Sequence, residues 1–303
     1  MKRYYLGIDI GGTKIKTVVL DDRGTILEQN EVLTEDGPQK KELWKKKIIA
    51  LIEDKSIEYA KSNPEALKYG ISAPGLVDFE NKMTLYMPER LQGLEGFNWA
   101  QELQKDIRVV NDGHAACLAE YETFYKKKGI QNLLMLTLGT GVGGGIIING
   151  GLYQGNLQRA GHLGHMTVDL YGMPTMTNMP GSLEHAFGNY SITERTEGKY
   201  QSVRELVEAY ENGNSNASNW WLESVRKLAV ALASLTNILS PELIILGGGI
   251  TAGAGNSLLA PLENFMSDYE WRPGGYQTKI IEAKLGTYAG AVGSAYFAKI
   301  NNQ

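Results

Sequence analysis

A single cysteine, Cys117, stands in a chain of 303 residues, which excludes an internal disulfide and any zinc site built from several thiolates. A reducing compartment fits that scarcity. No apolar run approaches the ~18 residues a membrane span needs; the most apolar helical pattern lies around Leu228 to Leu239. The start, Met1-Lys2-Arg3-Tyr4-Tyr5-Leu6, carries basic residues, but Asp9 interrupts the apolar stretch too early for a secretory signal. Charge of one sign is also lacking: the net charge is −4 with acids and bases interspersed, which is no footprint for nucleic acid. These absences predict a cytoplasmic protein without membrane or nucleic-acid partners. What is plentiful is apolar residues, 43% of the chain, enough for two domains or one large one.

Glycine is concentrated in two loops, Asp9-Ile10-Gly11-Gly12-Thr13-Lys14 and Leu138-Gly139-Thr140-Gly141-Val142-Gly143-Gly144-Gly145. Each follows a short apolar run and is followed at once by β-branched residues, Thr17-Val18-Val19 in one case and Ile146-Ile147-Ile148 in the other. In a Walker or Rossmann loop the glycines open a helix. Here the strand character resumes after the turn, so both loops read as tips of β-hairpins. Glycines there let backbone N–H groups close around an anion, which makes phosphate the expected ligand.

Beyond the first hairpin, a turn at Asp21-Asp22-Arg23-Gly24 and a third strand over Thr25 to Glu28 complete a meander. Trp44, Ile48, Leu51 or Ile52 and Ile57 recur at helical spacing between Pro38 and Asn63-Pro64, with Lys40, Lys41, Lys45, Lys46 and Lys47 expected mostly on the solvated face. A strand over Tyr69-Gly70-Ile71 runs into Ser72-Ala73-Pro74-Gly75, and Asn98 with Gln101 caps a short helix from Trp99 to Gln104. The strand Val109-Val110 stops at Asn111-Asp112, before a helix over Gly113 to Lys128. Gln154 to Gly181 reads as irregular loop, Ser202 and Glu205 cap a helix, and Asn212 to Asn219 reads as a polar linker. A long helix from Trp220 to Leu239 is stopped by Ser240-Pro241; Glu242 to Leu246 is a strand entering Gly247-Gly248-Gly249; strand Thr278 to Ala283 and helix Ala289 to Ile300 close the chain.

The order hairpin, strand, helix, strand, helix therefore occurs twice, from residue 3 and from residue 132. Two such α/β halves predict a cleft that could hold a nucleotide between facing glycine hairpins. Asp112, at a strand end, could take a proton from a hydroxyl nucleophile during phosphoryl transfer. It could equally cap the helix that begins at Gly113. Asp9 has a similar choice between a ligand of Mg²⁺-bound water and a turn residue.

On Leu6 to Lys14, Ser72-Ala73-Pro74-Gly75, Val110-Asn111-Asp112, Leu138 to Gly145, Gly161-His162-Leu163-Gly164-His165, Glu184 and Pro241 to Gly249, the chain resembles the ROK family of sugar kinases and repressors, over nearly its whole length. One glycine loop alone would be weak; the whole series in order is specific. The resemblance implies an α/β chain of two ribonuclease H-like (actin-like ATPase) domains with an interdomain cleft, residues 1–113 plus 290–303 and residues 114–289. It implies ATP and Mg²⁺, with Asp9, Gly11, Gly12, Thr13, Lys14, Gly139, Thr140 and Gly141 around the phosphates and metal. Gly247, Gly248 and Gly249 would lie near the adenosine. Asp112 becomes the catalytic base, and Gly75, Asn111, Asp112, His162, His165 and Glu184 contact the sugar. Glu184 could instead be a first-turn helix carboxylate after Ser182. A homodimer is implied as well.

Two departures stand out. His162 occupies a position where many family members, glucokinases included, carry Glu, and where bacterial N-acetylmannosamine kinases carry His; a neutral imidazole donates as well as accepts, which a carboxylate cannot. In the family a His is followed by a Cys-x-Cys-Gly-x-x-Gly-Cys zinc segment; here Thr175, Thr177 and Ser182 stand at the cysteine positions. Hydroxyls do not replace thiolates on Zn²⁺. The expectation is no zinc, His165 left to the sugar, and a loop held by packing and hydrogen bonds, with Met166, Met173, Met176 and Met179 as candidate filler.

The leading function is thus an ATP-dependent sugar kinase acting on the 6-hydroxyl of a hexose or N-acylhexosamine, glucose or N-acetylmannosamine first. The alternative is a non-catalytic sugar-sensing ROK protein. A repressor would need a helix-turn-helix ahead of the first hairpin, and Asp9 leaves no room for one.

Overall fold

The computed structural model describes residues 2–37, 42–61, 63–87, 91–175 and 178–301. They fall into two compact units: Met1–Gly129 with Leu152–Ala160 and Leu285–Gln303, and Ile130–Gly151 with Gly161–Lys284.

The first unit begins with β1 (Tyr4–Ile10), β2 (Lys14–Asp21) and β3 (Ile26–Leu33), an antiparallel meander. Helix α1 (Leu43–Ala60) returns the chain to β4 (Leu67–Ala73), which pairs parallel to β1. A small ribbon of β5 (Leu76–Val77) and β6 (Thr84–Tyr86) and the short α2 (Trp99–Leu103) lead to β7 (Ile107–Asn111), parallel to β4, and on to α3 (Asp112–Glu120). The sheet order is β3-β2-β1-β4-β7.

In the second unit, β8 (Leu133–Leu138), β9 (Val142–Ile148) and β10 (Gly151–Leu152) precede the long loop, α4 (Leu183–Phe187), α5 (Ile192–Arg195), α6 (Val203–Glu211) and α7 (Ser215–Leu239). Then come β11 (Leu243–Gly247), α8 (Gly249–Ala254), α9 (Asn256–Tyr269), β12 (Lys279–Glu282) and, back in the first unit, α10 (Ala289–Ile300). The second sheet runs β10-β9-β8-β11-β12. In both sheets a hairpin strand sits centrally, antiparallel to its partner and parallel to a later strand. The architectural duplication read from the chain is therefore real.

Why these elements form is local. Trp44, Ile48 and Ile52 put one buried stripe of α1 on the first sheet, beside Trp99 of α2. The same spacing fails at Ile57, which is 65% exposed, and Lys45 is buried rather than solvated. Its ammonium lies 4.2 Å from the Phe97 ring centre and 2.7 Å from Glu42 Oε1, so its stem packs while its charge stays paired. Pro38, Lys40 and Lys41 lie outside the described residues. The expected helix over Gly113 to Lys128 is α3 followed by a π-helical turn at Tyr121–Tyr125 and a tighter turn at Lys126–Lys128. Asn212 to Asn219 is mostly helix: the Asn214 side chain accepts from Ala217 N at 2.9 Å and starts α7 at Ser215. Among the described residues no helix is long and apolar enough to cross a membrane.

Helix α10 packs on the first sheet at backbone contact. A Cβ at Gly70 would lie 1.9 Å from Ser294 O, and one at Gly293 would lie 1.8 Å from Ala115 O of α3. That close packing groups α3 with the first unit, where the sequence break was expected at residue 113. The segment Leu152–Ala160 belongs there too: Gln158 Nε2 donates to Phe79 O at 3.2 Å.

Candidate active site

In the first unit the β1–β2 turn closes with Gly11 N donating to Lys14 O at 3.1 Å. The tip is anchored from β3's end, where Thr34, fully buried, donates its hydroxyl to Gly11 O at 2.6 Å and its N–H to Thr13 O at 2.9 Å. Nothing in the sequence marked Thr34; only the pairing of β3 along β2 brings it there. Gly12 is half-buried and Thr13 exposed at the tip. Lys14, expected at the phosphates, instead forms an ion pair with Glu31 of β3.

Asp9, next to last in β1, lies beside β4, and Ser72 donates to its Oδ1 at 2.7 Å. Burial pushes the Asp9 carboxyl up, which the Ser72 hydrogen bond and the Lys16 charge partly offset. Close by, Gly75 at φ 85 keeps its backbone against Tyr86 O, where a Cβ would meet that oxygen at 2.2 Å. Its carbonyl accepts from Asn111 Nδ2 at 3.0 Å.

Asn111 decides how Asp112 is held. Its Oδ1 caps α3 by accepting from Gly113 N at 2.9 Å and His114 N at 3.3 Å. Its Nδ2 donates to Gly75 O and, at 3.0 Å, to Asp112 Oδ1. The amide's capacity is thereby used within the unit. Asp112, the first residue of α3, also accepts from Gly113 N at 2.8 Å. Solvent reaches its side chain, yet dense surrounding protein leaves the carboxylate poorly hydrated. That desolvation, followed by repulsion from Asp9, pushes its pKa up to about 6.

In the second unit the β8–β9 turn closes with Gly139 N donating to Gly141 O at 3.0 Å. It rests on α4 and the turn behind it. Glu184 Oε2 accepts from Val142 N at 3.1 Å, Asn189 N donates to Gly139 O and Tyr190 N to Thr140 O, both at 3.0 Å. A Cβ at Gly141 would sit 2.3 Å from Glu184 Oε2, so only glycine admits this clamp. Gly248, at φ 92, lies against Leu138 just before the hairpin tip, and the Gly247–Gly249 turn feeds α8. A Cβ at Gly249 would meet nothing, which leaves open space at that turn.

His162 and His165 bracket a tight turn with near-parallel rings, 6.1 Å apart at 13°. Gly164 within that turn packs on Val142 O and the Glu184 side chain. The structure thus gathers Asp9, Gly11 to Thr13, Gly75, Asn111 and Asp112 in the first unit. It gathers Gly139 to Gly141, Gly247 to Gly249, His162, His165 and Glu184 in the second.

The segment after His165 has no thiolates, and its donors do not suit Zn²⁺. The Ser182 hydroxyl caps α4 by accepting from His185 N at 3.1 Å, and the Thr175 backbone closes a turn with Met179 and Asn178. Thr177 and Met176 lie outside the described residues. The loop is tied by hydrogen bonds: Val168 N and Asp169 N both donate to Gly181 O, and Gly172 N donates to Asp169 O. Asp169 also accepts from Tyr171 N at 3.0 Å and pairs with Lys227 of α7 at 2.9 Å. Met173 is 60% exposed and is no filler there. Asp169 and Lys227 were not singled out in the sequence, since residues 58 positions apart share no local signal.

The ROK family profile matches residues 5–301. An N-acetylmannosamine kinase of Vibrio cholerae serotype O1 is 31% identical over 297 residues, covering 96% of this chain and 98% of that protein. A ROK hexokinase from Thermus thermophilus superposes with a TM-score of 0.82 at 27% identity, over 100% of this chain and 99% of that one. A ROK family glucokinase from Streptomyces griseus, solved with glucose and AMPPNP, gives a TM-score of 0.74 at 27% identity, over 98% and 99% of the two chains. The two five-stranded sheets match the actin-like ATPase fold of these kinases. By the extent of that match, the chain belongs to the ROK family.

Proposed function

We propose that the protein is an ATP-dependent sugar kinase that transfers the γ-phosphoryl group to the 6-hydroxyl of a hexose or N-acylhexosamine. The carrying observation is Asp112: a solvent-accessible carboxylate, fixed by Asn111 and Gly113, with its pKa pushed up to about 6. Such a group is ionised at neutral pH and more basic than an ordinary aspartate, which suits it to take the hydroxyl proton as the phosphoryl group departs. Asn111 acts as a positioning residue in this scheme, its amide being occupied within the unit.

Glycine-rich turns at Gly11 to Thr13 and Gly139 to Gly141 serve the ATP phosphates through backbone N–H groups, and Gly247 to Gly249 the adenosine side. Lys14 serves only by leaving Glu31. Mg²⁺ fits the chemistry present, since Asp9 and Asp112 are two carboxylates that repel one another. Asp9 would hold the ion largely through water, as hard Mg²⁺ prefers. When bound, it neutralises phosphate charge. The AMPPNP complex of the glucokinase relative supports ATP as donor.

His162, His165 and Glu184 form the sugar-facing set. Glucose and N-acetylmannosamine are the first candidates, supported respectively by the glucose-bound relative and by the Vibrio kinase together with His162. The test is ADP release over a panel of sugars. Turnover of at least one, abolished in Asp112→Asn, is the expected result; sugar binding without any turnover overturns the reading.

A further inference from the structure

Helix α4 and the following turn have a second face, away from the hairpin they clamp. There the second unit holds an open recess of about 280 Å³, lined among others by Arg195, Lys227, Ser224 and Trp220 and by the carboxylates of Asp169 and Glu223. Its cations differ in one respect. Lys227 is paired with Asp169 at 2.9 Å and with Glu223 at 3.8 Å. Arg195 meets only neutral acceptors among the described residues: Ser191 Oγ at 3.1 Å, Ser224 Oγ at 2.7 Å and Gly188 O at 3.0 Å.

A guanidinium has five N–H donors in a planar fork that matches oxyanions. Those three bonds leave part of the fork unused. A mere cross-link between α5 and α7 would need no charge, since burying one without a counter-ion is costly and a neutral amide could make the same bonds. Desolvation accordingly lowers the Arg195 pKa to about 10. Trp220 adds an aromatic side chain beside the recess.

We propose that this recess is a binding site for a small phosphate-type oxyanion, seated on Arg195 and separate from the glycine turns that serve the nucleotide. Inorganic phosphate and a phosphorylated sugar share that chemistry. The site does not depend on the kinase reading, because its charge and geometry are complete in the second unit.

The test uses the full chain saturated with AMPPNP, so that the nucleotide site is filled, and titrates inorganic phosphate and, separately, a hexose 6-phosphate. Calorimetry reports binding. Saturable binding tighter than about 1 mM is expected for at least one of them, with no response to chloride at equal ionic strength. Binding of both assigns recognition to the phosphate group; binding of the ester alone adds the ring. Arg195→Met is expected to abolish it. Ser224→Asp, which supplies an internal carboxylate to Arg195, is expected to weaken it at least tenfold while keeping the melting temperature. Absence of binding by the wild type, or wild-type affinity in either folded variant, overturns the proposal.

Discussion

Asn111 Nδ2 donates to Asp112 Oδ1 at 3.0 Å while the same side chain caps α3 through Oδ1. The end of β7, the start of the helix and the orientation of the carboxylate are therefore set by one amide. Asn111→Ser is expected to keep most of the cap but lose the amide NH₂ that donates to Gly75 O and Asp112 Oδ1. It should leave stability within about 1 kcal/mol and lower kcat about tenfold or more, with a smaller change in sugar KM. Denaturant melts and steady-state kinetics on one preparation check this; kcat at the wild-type level rejects the positioning role.

Asp112→Asn is expected to reduce kcat by about 10²–10⁴-fold while sugar binding survives. In the wild type, kcat/KM should fall as pH drops through about 6, because the base must be ionised. The linkage runs the other way for stability. A carboxyl whose folded pKa is raised costs stability once ionised, so the variant should melt above the wild type near pH 8. That difference should vanish below about pH 3, where the wild-type carboxyl is protonated in both the folded and the unfolded state. Thermal melts across that range read it directly.

Gly70→Ala tests the contact between β4 and α10, since the added Cβ would lie 1.9 Å from Ser294 O. Relief requires the helix to move, and overpacking of this kind costs about 1–3 kcal/mol. Urea unfolding should show the loss as a lower midpoint. An unchanged midpoint would mean α10 rides further from the sheet.

Asp169→Asn and Lys227→Met break the tie between the long loop and α7. The pair is partly exposed, so the cost in global stability should be about 1 kcal/mol or less. The local effect should be larger: faster proteolysis within residues 167–181 and a several-fold higher sugar KM at nearly constant kcat. A zinc-selective chelator, with Mg²⁺ in excess, should change neither melting temperature nor activity in the wild type. Loss of activity on chelation would point to a metal held by other donors.

Both glycine turns were legible because β-branched residues resume immediately after them, and no helix can begin there; β1–β2 and β8–β9 pair accordingly. The caps at Asn98 and Ser202 were legible for the same local reason, an acceptor facing an N–H a few residues on. Periodicity misplaced Ile57 and Lys45, since a helix pattern says which face is apolar but not how far the sheet beneath it extends. Asn214 hid a helix start inside what looked like linker, because Asn favours caps and loops alike.

The chain by itself determined the duplicated α/β order, the two glycine hairpin turns and the pairing of Asn111 with Asp112 at a strand end, all of them matters of neighbours in sequence. Only tertiary structure decided what each of those residues is left free to do. Asn111 is spent on Gly75, α3 and Asp112; Glu184 clamps Val142 from 42 residues away; Lys14 is held by Glu31. Hydrogen-bonding capacity and charge are finite, and their remainder is known only once every distant partner has taken its share.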